Sequence, residues 1–218
     1  MLTTIPHILS PLSAPWCGWT LLALLLCAAV SEWLQPGIIS QAHTSLLSQS
    51  NRTYKDAPVN FMGQLLISVF RIGTLAMTVS MCLYTGDAFR FGAFALVCGW
   101  TVAVLIAKML CNVLLDYAFS FSRRFGSVYE QYGDITTLAV CALYPALLIA
   151  MRIGYLPAIR WVFIGATVLF ILMWTYRMMR TFVQSFLAIG YVAIYIATLE
   201  VLPIGLLFYI SSKTILYI

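Results

Sequence analysis

Of 218 residues, 62% are hydrophobic and only 9% are charged, with a mean hydropathy of +0.96. Soluble globules carry about a quarter charged residues, so the composition excludes a water-soluble globule and makes lipid the main solvent. The net charge of +5 is what basic cytoplasmic loops give a membrane protein, and it is no argument for nucleic-acid binding.

The length predicts one integral-membrane domain over residues 1–218, with no soluble module. Six apolar runs suffice for a bilayer crossing, which takes ~20 residues. The first is about Trp16–Leu34 and stops at Gln35-Pro36-Gly37. Leu24-Leu25-Leu26-Cys27 faintly resembles a lipoprotein cleavage box. Leu26 stands where a small residue is required, however, and the apolar run continues past Cys27, so the segment reads as a retained helix. The second run is about Phe61–Tyr84, broken by Thr85-Gly86-Asp87. The third is about Phe91–Leu115, and the fourth about Asp134–Met151 with Asp134 as its candidate N-cap. The fifth is about Ile159–Tyr176, after Pro157. The sixth, about Phe182–Ile210, is longer than a crossing needs and predicts a tilt or a break, with Pro203 as the place. The predicted fold is all-α, a bundle of six transmembrane helices.

Lys and Arg set the threading. Arg52, Lys55, Arg123, Arg124, Arg177 and Arg180 fall in the first, third and fifth connections; Arg90, Arg152, Arg160 and Lys213 lie on the other side. This bias puts the first group in the cytoplasm and both termini outside. There, Asn51-Arg52-Thr53 carries no glycosylation meaning. The third connection, Asp116–Gly133, is both basic and aromatic. It predicts short amphipathic pieces along the membrane surface, with Arg123, Arg124, Phe125 and Tyr129 meeting anionic lipid or a protein partner.

The ionisable residues inside the spans are the best functional clues. A charge at mid-span costs at least ~2.5 kcal/mol on insertion scales. Arg71 lies mid-span and shares a stripe with Gln64, Ser68, Thr74 and Thr78, at spacings of three and four. Lys108, Asn112 and Asp116 follow one another at four-residue steps in the third span. Glu200 is the one acid well inside an apolar run, on a face with Gly190, Ala193 and Ala197, where small residues let another helix approach. Depth along the helices matches Glu200 with Arg71 and sets Lys108 too near the cytoplasm. A structural ion pair and a ligand or proton site both fit such a pairing.

Six cysteines, all in apolar runs, form no CxxC, and His7 and His43 have no metal-ligand neighbours. No metal site and no cofactor is therefore expected. There is no HExxH, no GxSxG and no phosphate-cradling glycine loop, so no catalytic residue is assigned.

Ala197-Thr198-Leu199-Glu200-Val201-Leu202-Pro203, with a final Lys213, resembles the closing motif of a Bacteroidetes inner-membrane family, domain of unknown function 4271. Lys108 and Asn112 resemble its Lys-x-x-x-Asn step, and Pro145 its mid-span proline, although the spacing after Tyr132 is longer here. The likeness covers about Ser50 to the C-terminus. It implies a bacterial cytoplasmic-membrane protein and supplies no activity.

The leading functional expectation is a non-enzymatic inner-membrane accessory or assembly protein, in envelope biogenesis, meeting membrane lipids and a protein partner. The alternative is a small transporter or lipid-handling protein in which Arg71 and Glu200 line a polar cavity. Whether those side chains line a cavity or are sealed by packing separates the two. No sequence feature specifies an oligomeric state.

Overall fold

The computed structural model describes residues 15–39, 60–83, 91–119, 122–153, 156–182 and 195–216. Among these there are six α-helices and no strand. They are α1 (Pro15–Leu34), α2 (Phe61–Leu83), α3 (Phe91–Phe119), α4 (Ser122–Ile153), α5 (Leu156–Phe182) and α6 (Leu202–Leu216). A π-helical turn, Ala197–Val201, leads directly into α6. Five helices, α1 to α5, are long and apolar enough to cross a membrane; the apolar stretch of α6, Leu202–Lys213, is shorter. Residues 183–194, with Gly190 and Ala193, lie outside the described residues, as do Thr85-Gly86-Asp87 and most of the first connection.

The turn that follows α1 forms as its residues dictate. Leu- and Ala-rich α1 ends where Pro36 cannot continue it and Gly37 adopts a left-handed φ of 88°. The Glu32 carboxylate closes that turn, accepting the backbone N–H of Gly37 at 2.7 Å and of Ile39 at 3.1 Å. Asn60 then caps α2: its Oδ1 accepts the Met62 N–H at 3.1 Å, and its Nδ2 reaches back to the Leu34 carbonyl at 3.4 Å.

Helix α2 is the centre of the bundle. It touches all five other helices, and 56% of its span is buried against 17–33% for the rest. It runs antiparallel to α1, with Ser31 Oγ donating to the Gly63 carbonyl at 2.8 Å near one end and Gly73 facing Leu24 further along. A Cβ on Gly73 would collide with the δ-carbons of Leu24, so the missing side chain is what lets these helices close. Tyr144 of α4 donates to the Leu21 carbonyl at 2.8 Å and packs its ring on Phe70, fastening α4 across the same pair. Arg160 of α5 donates from Nε to the Cys82 carbonyl at 2.9 Å, placing a cation at the C-terminal end of the α2 dipole. The outward surface is large and apolar, with Trp19, Trp33, Phe61, Phe91 and Trp161 all exposed. Lipid accommodates such a surface where water would not.

Three expectations are corrected. The third connection is not a set of short surface pieces. α3 continues to Phe119 and α4 begins at Ser122, so Arg123, Arg124, Phe125 and Tyr129 ride on the opening turns of one 32-residue helix. At 1.5 Å per residue α4 is ~48 Å long, well beyond a hydrocarbon core of ~30 Å; polar composition marks where it leaves the apolar layer, not where the helix starts. Asp134 accordingly lies inside α4 and is no N-cap. The break in the last apolar run lies in the turn before Pro203, with the Leu202 N–H reaching the Ala197 carbonyl, one residue wider than an α-helical bond. Pro203 has no N–H with which to bond Leu199, and the wider turn absorbs that loss.

Gly73→Val should destabilise the protein by ~1–3 kcal/mol through overpacking against Leu24. Gly165→Val should be close to neutral, because a Cβ at Gly165 meets nothing within 4 Å. Unfolding by denaturing detergent in mixed micelles measures both, and equal losses would contradict the α1–α2 contact described.

Candidate functional site

Helices α3 and α4 and the π-helical turn each contribute one group to a buried polar cluster. Lys108 Nζ donates to Glu200 Oε2 at 2.6 Å, with Lys108 8% and Glu200 2% exposed. Lys108 Nζ also donates to the Tyr132 hydroxyl and lies over its ring, 3.7 Å from the centroid. The Tyr132 hydroxyl in turn donates to Glu200 Oε2 at 3.4 Å. Two aromatic groups of α5 hold the tyrosine edge-on: Trp174 at 5.0 Å and Phe170 at 5.6 Å between ring centroids. The ammonium is thus fixed by a carboxylate, a hydroxyl and a π-face. Such company is what a charge needs where water is absent.

The other carboxylate oxygen is different. Glu200 Oε1 is buried and has no hydrogen-bond partner among the described residues. Glu200, Lys108 and Tyr132 also line a cleft of about 130 Å³. Its remaining walls are mostly apolar, supplied by α2 to α6, and run from this cluster past Thr136, Ala139 and Val140 to Thr101, Leu143, Phe163 and Leu207. From Tyr132 to Leu143 is eleven residues, ~16 Å along α4. The charged pair therefore lies towards one end of a mostly apolar cleft.

The pairing expected from sequence is overturned. Glu200 is bonded to Lys108, whereas Arg71 Nη1 donates to the Gly133 carbonyl at 3.1 Å, Nη2 to Ser68 Oγ at 3.1 Å and Nε to the Ile67 carbonyl at 3.4 Å. Helix α3 is longer than its apolar run, which moves Lys108 deeper than the run implies. Measured to Leu115, Lys108 lay seven residues, ~10 Å, from the helix end; measured to Phe119 it lies eleven residues, ~16 Å, away. Arg71 is ten residues into α2 and Tyr132 ten into α4, so all three stand at one level. Arg71 does not line the cleft. Gly133 admits it: a Cβ there would stand 3.3 Å from Nη1.

The stripe on α2 is satisfied partly within its own helix, and Thr74 Oγ1 is buried with no partner among the described residues. Ser68 donates to the Gln64 carbonyl and Thr78 to the Thr74 carbonyl, each at 2.7 Å, while Gln64 reaches Gln35 of the α1 turn at 3.4 Å. The Asn112 backbone continues α3; its side chain and those of Asp116, Arg123, Arg124, Phe125 and Tyr129 lie outside the described set. Tyr132 was missed as a site residue. Its place at the start of the fourth apolar run reads as an interfacial aromatic, and only the added length of α4 carries it to the level of Lys108. Among the described residues no three His, Cys, Asp or Glu side chains gather as a metal site.

A double-mutant cycle checks the new pairing. Lys108→Met and Glu200→Met should each cost ~3–5 kcal/mol by leaving a buried charge unpaired. The double variant should lose much less than their sum. Arg71→Met combined with Glu200→Met should be additive within ~0.5 kcal/mol. Coupling with Arg71 in place of Lys108 would contradict the geometry.

The resemblance seen in the closing motif is wider than those residues. The family described as a domain of unknown function (DUF4271) matches residues 18–210, taking in α1 as well as the cluster and ending before Lys213. Comparison with curated proteins and with solved structures gives no match. With 18–210 of its 218 residues matched, the chain belongs to the DUF4271 family.

Proposed function

We propose that this chain is a six-span protein of the bacterial inner membrane that takes a small membrane amphiphile into the cleft between α2 and α6. In this reading residues from about 182 to 210 make the sixth crossing, interrupted at the π-helical turn, and both termini face the periplasm. Helices α1 to α5, each long and apolar enough to span, support the membrane part of the proposal. The loop charge bias supports the orientation.

The observation that carries the ligand-handling reading is the apolar cleft of about 130 Å³ lined at one end by the charged pair and Tyr132. A purely structural ion pair would be sealed by packing, whereas Lys108, Tyr132 and Glu200 all border open space. An accessory subunit, the first expectation from sequence, needs no such space. The cleft favours lipid handling or transport, with Lys108, Tyr132 and Glu200 in place of Arg71 and Glu200. A volume of about 130 Å³ is near the ~150 Å³ of an engineered apolar cavity that accepts benzene. It suits the first part of one chain, not a whole phospholipid.

Purification from a native host in mild detergent, followed by extraction and mass spectrometry, tests this. One amphiphile should co-purify near stoichiometrically. Ala139→Phe, which fills the cleft wall, should cut that occupancy about tenfold or more while the protein stays folded; for scale, tenfold is 1.4 kcal/mol. Equal lipid content in both proteins would count against the cleft as a binding site.

A further inference from the structure

Resting on the cleft reading above, we infer that the amphiphile enters sideways from the bilayer, alkyl chain first, between α5 and α6, with the Phe163–Phe208 ring pair as the latch across that gap. The helix packing leaves this side open. Helix α5 rests on α2 and α4, and α6 on α2 and α3; among the described residues the backbones of α5 and α6 scarcely approach each other. Both nevertheless line the cleft. Its floor is deep: Val79 of α2, with Val140 and Leu143 of α4, is buried. Its α5 and α6 walls are not, since Ala166, Thr167, Ile204 and Leu207 are each half-buried. The rise in exposure from the floor to these two helices marks where the space meets the outside.

What lies outside that edge is lipid. On the same stretches, Val168 and Leu169 of α5 and Leu202, Leu206 and Tyr209 of α6 are exposed, and a bilayer covers such a surface where water would not. An alkyl chain already lies against it. Along α5 and α6 the side chains that line the cleft are apolar apart from Thr167, so a chain passing between them displaces no charged group. Side chains bridge the gap at two levels. At one, Phe170 packs on Tyr132 at 5.6 Å between ring centroids, and the Tyr132 hydroxyl donates to Glu200. At the other, Phe163 of α5 meets Phe208 of α6 with ring centroids 5.3 Å apart and planes at 49°. Phe163 is seven residues before Phe170, and Phe208 is eight after Glu200, so the ring pair stands ~10–12 Å along the helices from the charged cluster. Phe208 is half-buried and does not line the cleft. Removing its ring therefore weakens the bridge and leaves the lining intact. A latch of this kind raises the barrier to entry and to exit alike, so its loss speeds both by one factor and leaves the affinity where it was.

The test uses the full chain in nanodiscs and a lysophosphatidylcholine bearing a photoreactive diazirine on its chain. The probe is added at time zero, samples are illuminated at successive times, and labelled residues are mapped by mass spectrometry; a chase with unlabelled lysophosphatidylcholine reads release. Outward positions such as Leu169 should label first, and the α4 floor at Val140 and Leu143 after a delay. In Phe208→Ala, floor labelling and its loss in the chase should both speed up by roughly two- to tenfold, the factor that one aromatic pair supports, with the final occupancy unchanged. Phe208→Leu keeps an apolar side chain without the ring pair; it should show a smaller acceleration, and it carries the test if the alanine variant does not fold. Floor labelling at the native rate in both variants would overturn the lateral route and leave the cleft standing. A fall in occupancy with no change in rate would make Phe208 part of the binding wall and overturn the latch. Labelling that never reaches Val140 or Leu143 in the native protein would overturn the cleft itself.

Discussion

A lysine and a glutamate held 2.6 Å apart in the interior of an apolar bundle constrain everything around them. Neither charge is tolerable there alone, so α3 and the segment leading into α6 must be brought together, and brought together in register. The pair also needs more than one bond each. Tyr132 supplies a hydroxyl and a π-face to the ammonium, and α5 supplies the aromatic edges that keep Tyr132 in place. Four elements thus converge on one buried point for electrostatic reasons. The apolar contacts around α2 close the remainder.

The backbone yields where that convergence demands it. An uninterrupted α-helix through Glu200 would have to bond Pro203, which has no N–H. The π-helical turn avoids that bond and turns Glu200 inward in the same five residues. Irregular backbone at membrane depth is tolerated where it is buried in protein or lines a cavity, and Glu200 lies beside one. The proline, the wide turn and the buried acid act as one device, which explains why they occur within seven residues.

Much of the helical plan could be read from sequence, because lipid makes hydrophobicity nearly synonymous with span. Trp16–Leu34 and Phe61–Tyr84 agree with α1 and α2 to within about two residues. The site was harder. Arg71, Lys108 and Glu200 stand out in any apolar run, but their partners depend on helix length, and length is hidden where a helix leaves the apolar layer. Stopping α3 at Leu115 and starting α4 at Asp134 lowered Lys108 by about one turn and removed Tyr132 from the interior. With that turn restored Lys108 and Arg71 stand at one level, and only the packing of the helices gives Glu200 to Lys108. The Asn60 cap and the role of Gly73 were likewise illegible, since each depends on which helix lies opposite.

The interior ion pair can be measured directly. The chain has three lysines and three glutamates, few enough for selective labelling with nitrogen-15 at lysine Nζ and carbon-13 at the glutamate carboxyl. Dipolar recoupling by solid-state magnetic resonance in proteoliposomes then reports the distance between them. The account predicts a close lysine Nζ to glutamate carboxyl-carbon contact, as the 2.6 Å Nζ–Oε2 bond requires, that disappears in Lys108→Met and persists in Arg71→Met. Absence of a close contact in the native protein, or its survival in Lys108→Met, would contradict it.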